Sequence, residues 1–124
     1  MVFEVCIVSS SPALAMELEE LLGDRRISIE HSTLGEVALQ RAGCGCSSIL
    51  LLDEDPADMT AAELLRHLSN SDKGRHALSV ILSERSSEID RVIAFELGAD
   101  DFIAKAIGAR ELALRLKAVL RRHS

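Results

Sequence analysis

Apolar residues in this chain follow two rhythms. The runs VFEVCIV (2–8), SILLLD (48–53) and LSVILS (78–83) are short, largely unbroken and rich in branched side chains. Such runs predict buried strands. ISIEH (27–31) alternates apolar with polar, and DFIAK (101–105) is a shorter apolar run, so both predict strands. Between them the spacing lengthens to the helical repeat. Leu14, Leu18, Leu21 and Leu22 form one stripe, opened by Pro12 behind a capping serine and stopped at Gly23. Thr33-Leu-Gly-Glu36 and Thr60-Ala-Ala-Glu63 have the capping-box spacing and predict helices to about Ala42 and Leu68. Ser87–Leu97 predicts a fourth helix closed by Gly98, and Ala109–Arg122 a fifth with Leu112, Leu116, Val119 and Leu120 inward.

Strands alternating with helices across short connections predict an α/β fold, a five-stranded doubly wound parallel sheet covered on both faces. In such a sheet, sites form beyond the carboxyl ends of the strands. The residues at those ends are Ser9, Ser10, Asp53, Ser83 and Lys105.

A chain of 124 residues without a linker or repeat predicts one domain over 1–124, complete or the N-terminal part of a longer regulator. No apolar run approaches the roughly 20 residues of a membrane span, and the N-terminus lacks the pattern of a secretory signal. Three cysteines (Cys6, Cys44 and Cys46) argue against a disulfide framework and for a reducing cytoplasm. A net charge of −6 and the absence of Trp and Tyr oppose direct nucleic-acid binding by this segment.

From Asp90 to Arg122 the chain reads DRVIAFELGADDFIAKAIGARELALRLKAVLRR, and ILLLD at 49–53 is followed by Met59 and Glu63-Leu64-Leu65. In these stretches, and over essentially its whole length, the sequence resembles the receiver domains of two-component response regulators. It is nearest the OmpR/PhoB subfamily, which carries a winged-helix DNA-binding domain. The resemblance implies a flavodoxin-like (CheY-like) fold and a non-enzymatic role in bacterial signal transduction and transcription regulation. It places Asp53 at the phosphoacceptor position and Ser83 at the hydroxyl that contacts an acyl phosphate. Lys105 falls on the lysine that pairs with it and Phe102 on the aromatic switch residue. A carboxylate attacks phosphorus only where cations offset the charge that accumulates, and a lysine and a metal ion do that.

The departures from the family pattern all concern that charge balance. Receivers end the first strand with two acids that hold Mg²⁺, and here the pair is Ser9-Ser10. A hydroxyl is a far weaker ligand for a hard dication, so Mg²⁺ binding is expected to be weak or absent and no cofactor is expected. Glu84 replaces a small residue, where it crowds the pocket and repels phosphate, or pairs with Lys105. At ~4 Å and an effective dielectric near 20, that pairing is worth about 4 kcal/mol before desolvation. Ala106 replaces the usual proline, so the preceding bond is expected to be trans, since a non-proline cis bond costs about 3 kcal/mol. Glu54 and Asp55 add negative charge beside Asp53, and either offers a non-standard cation ligand. The changes together predict a receiver independent of Mg²⁺-dependent phosphorylation, acting by shape, dimerisation or partner binding.

Arg91, Glu96, Asp100, Asp101, Glu111, Arg115, Lys117 and Arg122 alternate in sign over the last helix–strand–helix unit. By resemblance this face forms a two-fold homodimer, with Arg91–Glu111 and Asp101–Arg115 as intersubunit pairs. The bland alternative is a solvated surface with weak ion pairs. Other partners implied are a sensor kinase and a downstream output domain, with no membrane.

Two rival functions stand beside this one. The first is a still-phosphorylatable receiver using Asp53, with Glu54 or Asp55 helping to hold metal. The second is a haloacid-dehalogenase-like phosphatase, built on Asp53-Glu-Asp55 with Ser83, Lys105 and a metal pair at Asp100-Asp101. Its chain order is wrong for that class, whose paired acids follow the lysine. Cys44-Gly-Cys46, even with His31, falls short of the four ligands of a zinc site and reads as loop. Cys6 reads as core, and His67, His76 and His123 as exposed side chains.

Overall fold

Each apolar run predicted as a strand forms one in the computed structural model, which describes residues 3–23, 25–43, 48–53, 55–70, 77–84 and 88–122. The strands are β1 (Phe3–Val8), β2 (Ile27–Ser32), β3 (Ile49–Leu52), β4 (Leu78–Ser83) and β5 (Asp101–Ala104). The helices are α1 (Ala13–Leu22), α2 (Gly35–Gly43), α3 (Ala61–Ser69), α4 (Glu88–Glu96) and α5 (Gly108–Arg122). All neighbouring strands pair in parallel, in the order β2-β1-β3-β4-β5. The chain winds outward from β1 to β2 and then back to β3. The order therefore reverses between β1 and β3, whose carboxyl ends carry Ser9 and Asp53.

Strand alternation divides the core. Val5, Ile7, Ile49, Leu51, Val80, Leu82 and Ile103 pack with α1 and α5 through Leu18, Leu22, Leu112, Leu116 and Leu120. Cys6, Val8, Leu50, Leu52 and Phe102 pack on the opposite face with Ala38, Leu64, Leu65 and Leu68. All four residues of β3 are buried, as a central strand covered on both faces requires. No helix among the described residues is long and apolar enough to cross a membrane.

The predicted helix starts fare differently. Ser11 Oγ accepts the Ala13 N–H at 3.2 Å, so a serine does cap α1 beside Pro12. Thr60 Oγ1 accepts the Glu63 N–H at 3.1 Å and opens α3. The box at Thr33–Glu36 does not form as predicted. Asp58, far along the chain, accepts the N–H groups of Gly35 and Glu36 at 2.7 and 3.1 Å. The fifth strand ends one residue early, and Lys105 instead opens a 3-10 turn to Ile107, because its carbonyl accepts the Gly108 N–H. Gly98 takes φ +105° after α4, a conformation that a side chain disfavours, and a Cβ there would also meet Ser69 Oγ at 2.7 Å. No peptide bond among the described residues is cis, the Lys105–Ala106 bond included.

Candidate functional site

The Asp53 N–H donates to the Val8 carbonyl at 3.0 Å, which carries the β1–β3 ladder one step past the strand and fixes where the carboxylate emerges. Both carboxylate oxygens find partners. Lys105 Nζ lies 2.7 Å from Oδ1, and Ser9 Oγ donates to Oδ2 at 2.8 Å. Asp53 is only 12 % exposed and Ser9 is buried, so the hydroxyl and the carboxylate satisfy one another away from bulk water. Hydrogen bonds to charged groups contribute about 1.5–3 kcal/mol net, and an unmet buried partner costs at least as much. Ser9 is held in turn. Its Oγ accepts the Ser11 N–H at 3.3 Å, its N–H donates to the Ser32 carbonyl at 3.0 Å, and His31 Nε2 lies 2.9 Å from its carbonyl. A carbonyl only accepts, so Nε2 is the protonated nitrogen in that contact. Ser10 is exposed.

The Asp53–Lys105 pair separates two cavities. One, of about 390 Å³, is lined by Asp53, Asp55, Ser83, Glu84 and Lys105 over an apolar floor that includes Leu52, Ala61 and Ile81. The other, of about 170 Å³, lies between the pair and Leu14, Ile107, Ala109 and Leu112. Ser83, at the end of β4, thus shares a pocket with Asp53 and Lys105, as expected. Lys105 makes its 2.7 Å contact with Asp53, while Glu84, the acid expected as its alternative partner, is exposed on the wall. Asp55 Oδ1 accepts the Ala61 N–H at 2.9 Å and so helps to cap α3. Glu54 lies outside the described residues, as do Cys44, Cys46, His76 and His123.

Mg²⁺ demands near-octahedral oxygen coordination. At the end of β1 this chain supplies two serine hydroxyls, one of them spent on Asp53. Among the described residues no group of three or more His, Cys, Asp or Glu is arranged to hold a metal ion. The end of β1 therefore offers no carboxylate to a magnesium ion, and the carboxylates described around the pocket are those of Asp53, Asp55 and Glu84.

Phe102 is buried in the cluster on the α3 and α4 side of the sheet. Several of the mixed-charge residues make contacts within the chain. Arg91 and Glu96 are exposed on α4. Glu111 and Arg115, each expected to reach across a dimer, lie 3.4 Å apart one turn along α5. Asp100 accepts the Ser79 N–H at 2.8 Å, and Asp101 accepts the Phe102 N–H at 2.8 Å. Arg122 donates to the Ala118 carbonyl at 3.4 Å. Lys117 faces Phe3, Arg26, Ile27 and Arg121 around a separate cavity of about 300 Å³. The phosphatase reading fails on this geometry. Asp100 and Asp101 sit at the amino ends of β4 and β5, across the sheet from Asp53, and cannot share a metal with it.

Sequence reasoning missed three features besides the Ser9–Asp53 contact. Val92, Ile93 and Phe95 on α4 are 48, 50 and 48 % exposed. The signal was there, since VIAF carries more apolar positions than one buried stripe needs. Glu4 is buried in β1 and takes a bidentate contact from Arg41 Nη2 and Nε. Burial, with Glu4 and Glu30 nearby, pushes the Cys6 thiol up to about 11, so this core cysteine is a neutral thiol at ordinary pH. Asp58 is the third. The Gly35 N–H above all, then that of Glu36, holds its carboxyl below the ordinary value.

Comparison with known proteins agrees with this geometry. The family model of the response regulator receiver domain matches residues 5–117. The sensory transduction protein RegX3 of Mycobacterium tuberculosis (strain H37Rv) is 37 % identical over 119 residues, covering 95 % of this chain and 51 % of its own length. The transcriptional regulatory protein CreB of Escherichia coli K12 is 32 % identical over 119 residues, with the same coverage. The chain thus spans about half the length of these curated relatives. Among solved structures, the signal receiver domain of a signal transduction histidine kinase from Syntrophus aciditrophicus superposes with a TM-score of 0.79 at 28 % identity, covering 97 % of this chain and 91 % of the other.

Proposed function

This chain belongs to the response-regulator receiver family, and on that premise we propose that it is an atypical receiver that regulates transcription without Mg²⁺-dependent phosphorylation of Asp53. The observation that carries the reading is the pairing of both Asp53 oxygens inside the chain, Oδ1 with Lys105 and Oδ2 with Ser9. Phosphoryl transfer to a carboxylate needs an oxygen lone pair aimed at phosphorus and enough positive charge to neutralise the incoming group. Ser9 occupies one oxygen with a proton. Lys105 supplies one positive charge, against which Asp55 and Glu84 stand in the same pocket. An incoming phosphoryl group therefore meets more negative than positive charge, and must break two short contacts to reach the nucleophile.

Output then falls to the surface. The exposed Val92, Ile93 and Phe95, with Arg91 and Glu96 beside them, support self-association or partner binding through α4, β5 and α5. Apolar side chains within a charged rim are the composition of a protein interface. The names of RegX3 and CreB, and their additional length, support a sensor kinase upstream, an output domain downstream and a cytoplasmic setting.

A second reading, a receiver still phosphorylated on Asp53, is supported by the convergence of Asp53, Ser83 and Lys105 on one pocket. Incubation with acetyl phosphate and Mg²⁺, followed by intact-mass measurement, separates the two. The first expects an unmodified mass at concentrations that saturate an ordinary receiver. Stoichiometric addition of one phosphoryl group, abolished by Asp53→Asn, establishes the second and ends the first.

A further inference from the structure

Helix α2 is capped by a residue distant in the sequence. Leu34 occupies the preceding position and has no polar side chain, and the Ser32 hydroxyl is already bonded to the Leu34 N–H at 2.9 Å. The orphan amides at a helix start must nevertheless be met. Asp58 meets two of them, with Oδ1 on Gly35 and Oδ2 on Glu36. The Ala57 N–H adds a bond to the Thr33 carbonyl at 2.9 Å. Gly35 permits the close approach, since a Cβ there would fall 2.7 Å from the Met59 sulfur.

These bonds complete a ring. Asp53 is bonded to Ser9 through the hydroxyl, and Ser9 to Ser32 through the backbone. The β2–α2 turn that follows Ser32 is bonded to Ala57 and Asp58, and the chain itself leads back to Asp53. The phosphoacceptor position is thereby joined to α2 by two routes, one through Ser9 and one through the loop after β3. Chains of directional hydrogen bonds can carry a displacement from one group to the next.

We propose that α2 is mechanically coupled to the Asp53 carboxylate, with Asp58 as the latch. Displacing the start of α2 loosens the Ser9–Asp53 contact, and a change at Asp53 is passed back to α2. A binding event on the outer side of α2, where Leu34 is 41 % and Val37 36 % exposed, is then felt in the pocket. Asp58 acts here as a positioning residue. The coupling is independent of whether Asp53 accepts phosphate, so it stands or falls separately from the reading above.

Amide hydrogen exchange by NMR on the 124-residue chain, without phosphoryl donor, tests it in Asp58→Ala and in the gentler Asp58→Asn. Loss of the latch is expected to speed exchange about tenfold at Gly35, Glu36 and Ala57. It is also expected to speed exchange about threefold or more at Ser9 and Asp53, with Leu116 on α5 unchanged. Asp58→Asn, which keeps one acceptor oxygen, follows the same pattern at smaller factors. Acceleration confined to Gly35, Glu36 and Ala57 would make Asp58 a local cap and overturn the coupling. Uniform acceleration that includes Leu116 in both variants, or no acceleration, overturns it equally.

Discussion

At the carboxyl ends of β1 and β3, polar groups are paired within the chain: Ser9 with Asp53, Asp53 with Lys105, Asp58 with the start of α2. On the outer side of α4, about half of each of Val92, Ile93 and Phe95 is open to solvent. In a receiver read as a switch, the first region is where chemistry enters and the second is where its result is displayed. Here the entry region is closed on itself and the display region is left open. The proposed reading, in which contacts at the surface carry information more than a covalent event at Asp53 does, rests on that difference.

The largest effect that sharpens this contrast lies beneath the pocket. Leu51→Ala empties a fully buried site in β3 and should cost about 2–5 kcal/mol in urea unfolding. Ser9→Ala comes next. It removes the hydroxyl that donates to Asp53 Oδ2 and should cost about 1–3 kcal/mol by the same measurement. A change near zero would mean that water replaces the serine and that the pocket is not closed. Phe95→Ser should change stability by less than about 0.5 kcal/mol. It should weaken self-association in sedimentation equilibrium by about tenfold. A self-association constant equal to that of the parent chain would remove α4 from the interface.

The smallest effect is a pH dependence. The carboxyl of Asp58 is held below its ordinary 3.8 by the N–H groups of α2. Its contribution to stability is therefore fully present above that value and is lost as pH falls through the lower, folded one. Thermal unfolding of Asp58→Asn and of the parent chain should differ most near neutral pH and converge in acid. Curves that stay parallel down to the lowest pH at which the chain folds would contradict the assignment.

Much of the fold was legible because each strand announces itself locally: ILLL can be little other than a central strand, and Thr60 caps the helix that begins beside it. The cap of α2 was not legible. A Thr-x-x-Glu spacing stood in the right place, yet the carboxylate that does the capping lies 22 positions beyond Glu36 and only the fold brings it near. Asp53, Ser83 and Lys105 were placed together by their strand-end positions, and the sheet brings them to one pocket. The pairing of Ser9 with Asp53 was missed because the hydroxyls there were weighed as poor metal ligands and as cap residues, although a hydroxyl is also a good donor to a carboxylate. The expected intersubunit pairs around α4 and α5 came from the resemblance to the family, and a single chain does not test them. Charge sign does not reveal that Asp100 is committed to the backbone of β4, or that Glu111 and Arg115 meet on their own helix.

We have proposed that hydroxyls in place of acids leave the pocket with weak or no hold on a dication. That proposal is tested most directly by Mg²⁺ titration of the parent chain and of the Ser9→Asp, Ser10→Asp double variant, followed by the amide resonances of Asp53 and Lys105. The account expects no saturable shift in the parent chain at millimolar Mg²⁺, and saturable binding once the two acids are restored. Saturable binding by the parent chain at physiological Mg²⁺, with displacement of Lys105 from Asp53, would contradict it.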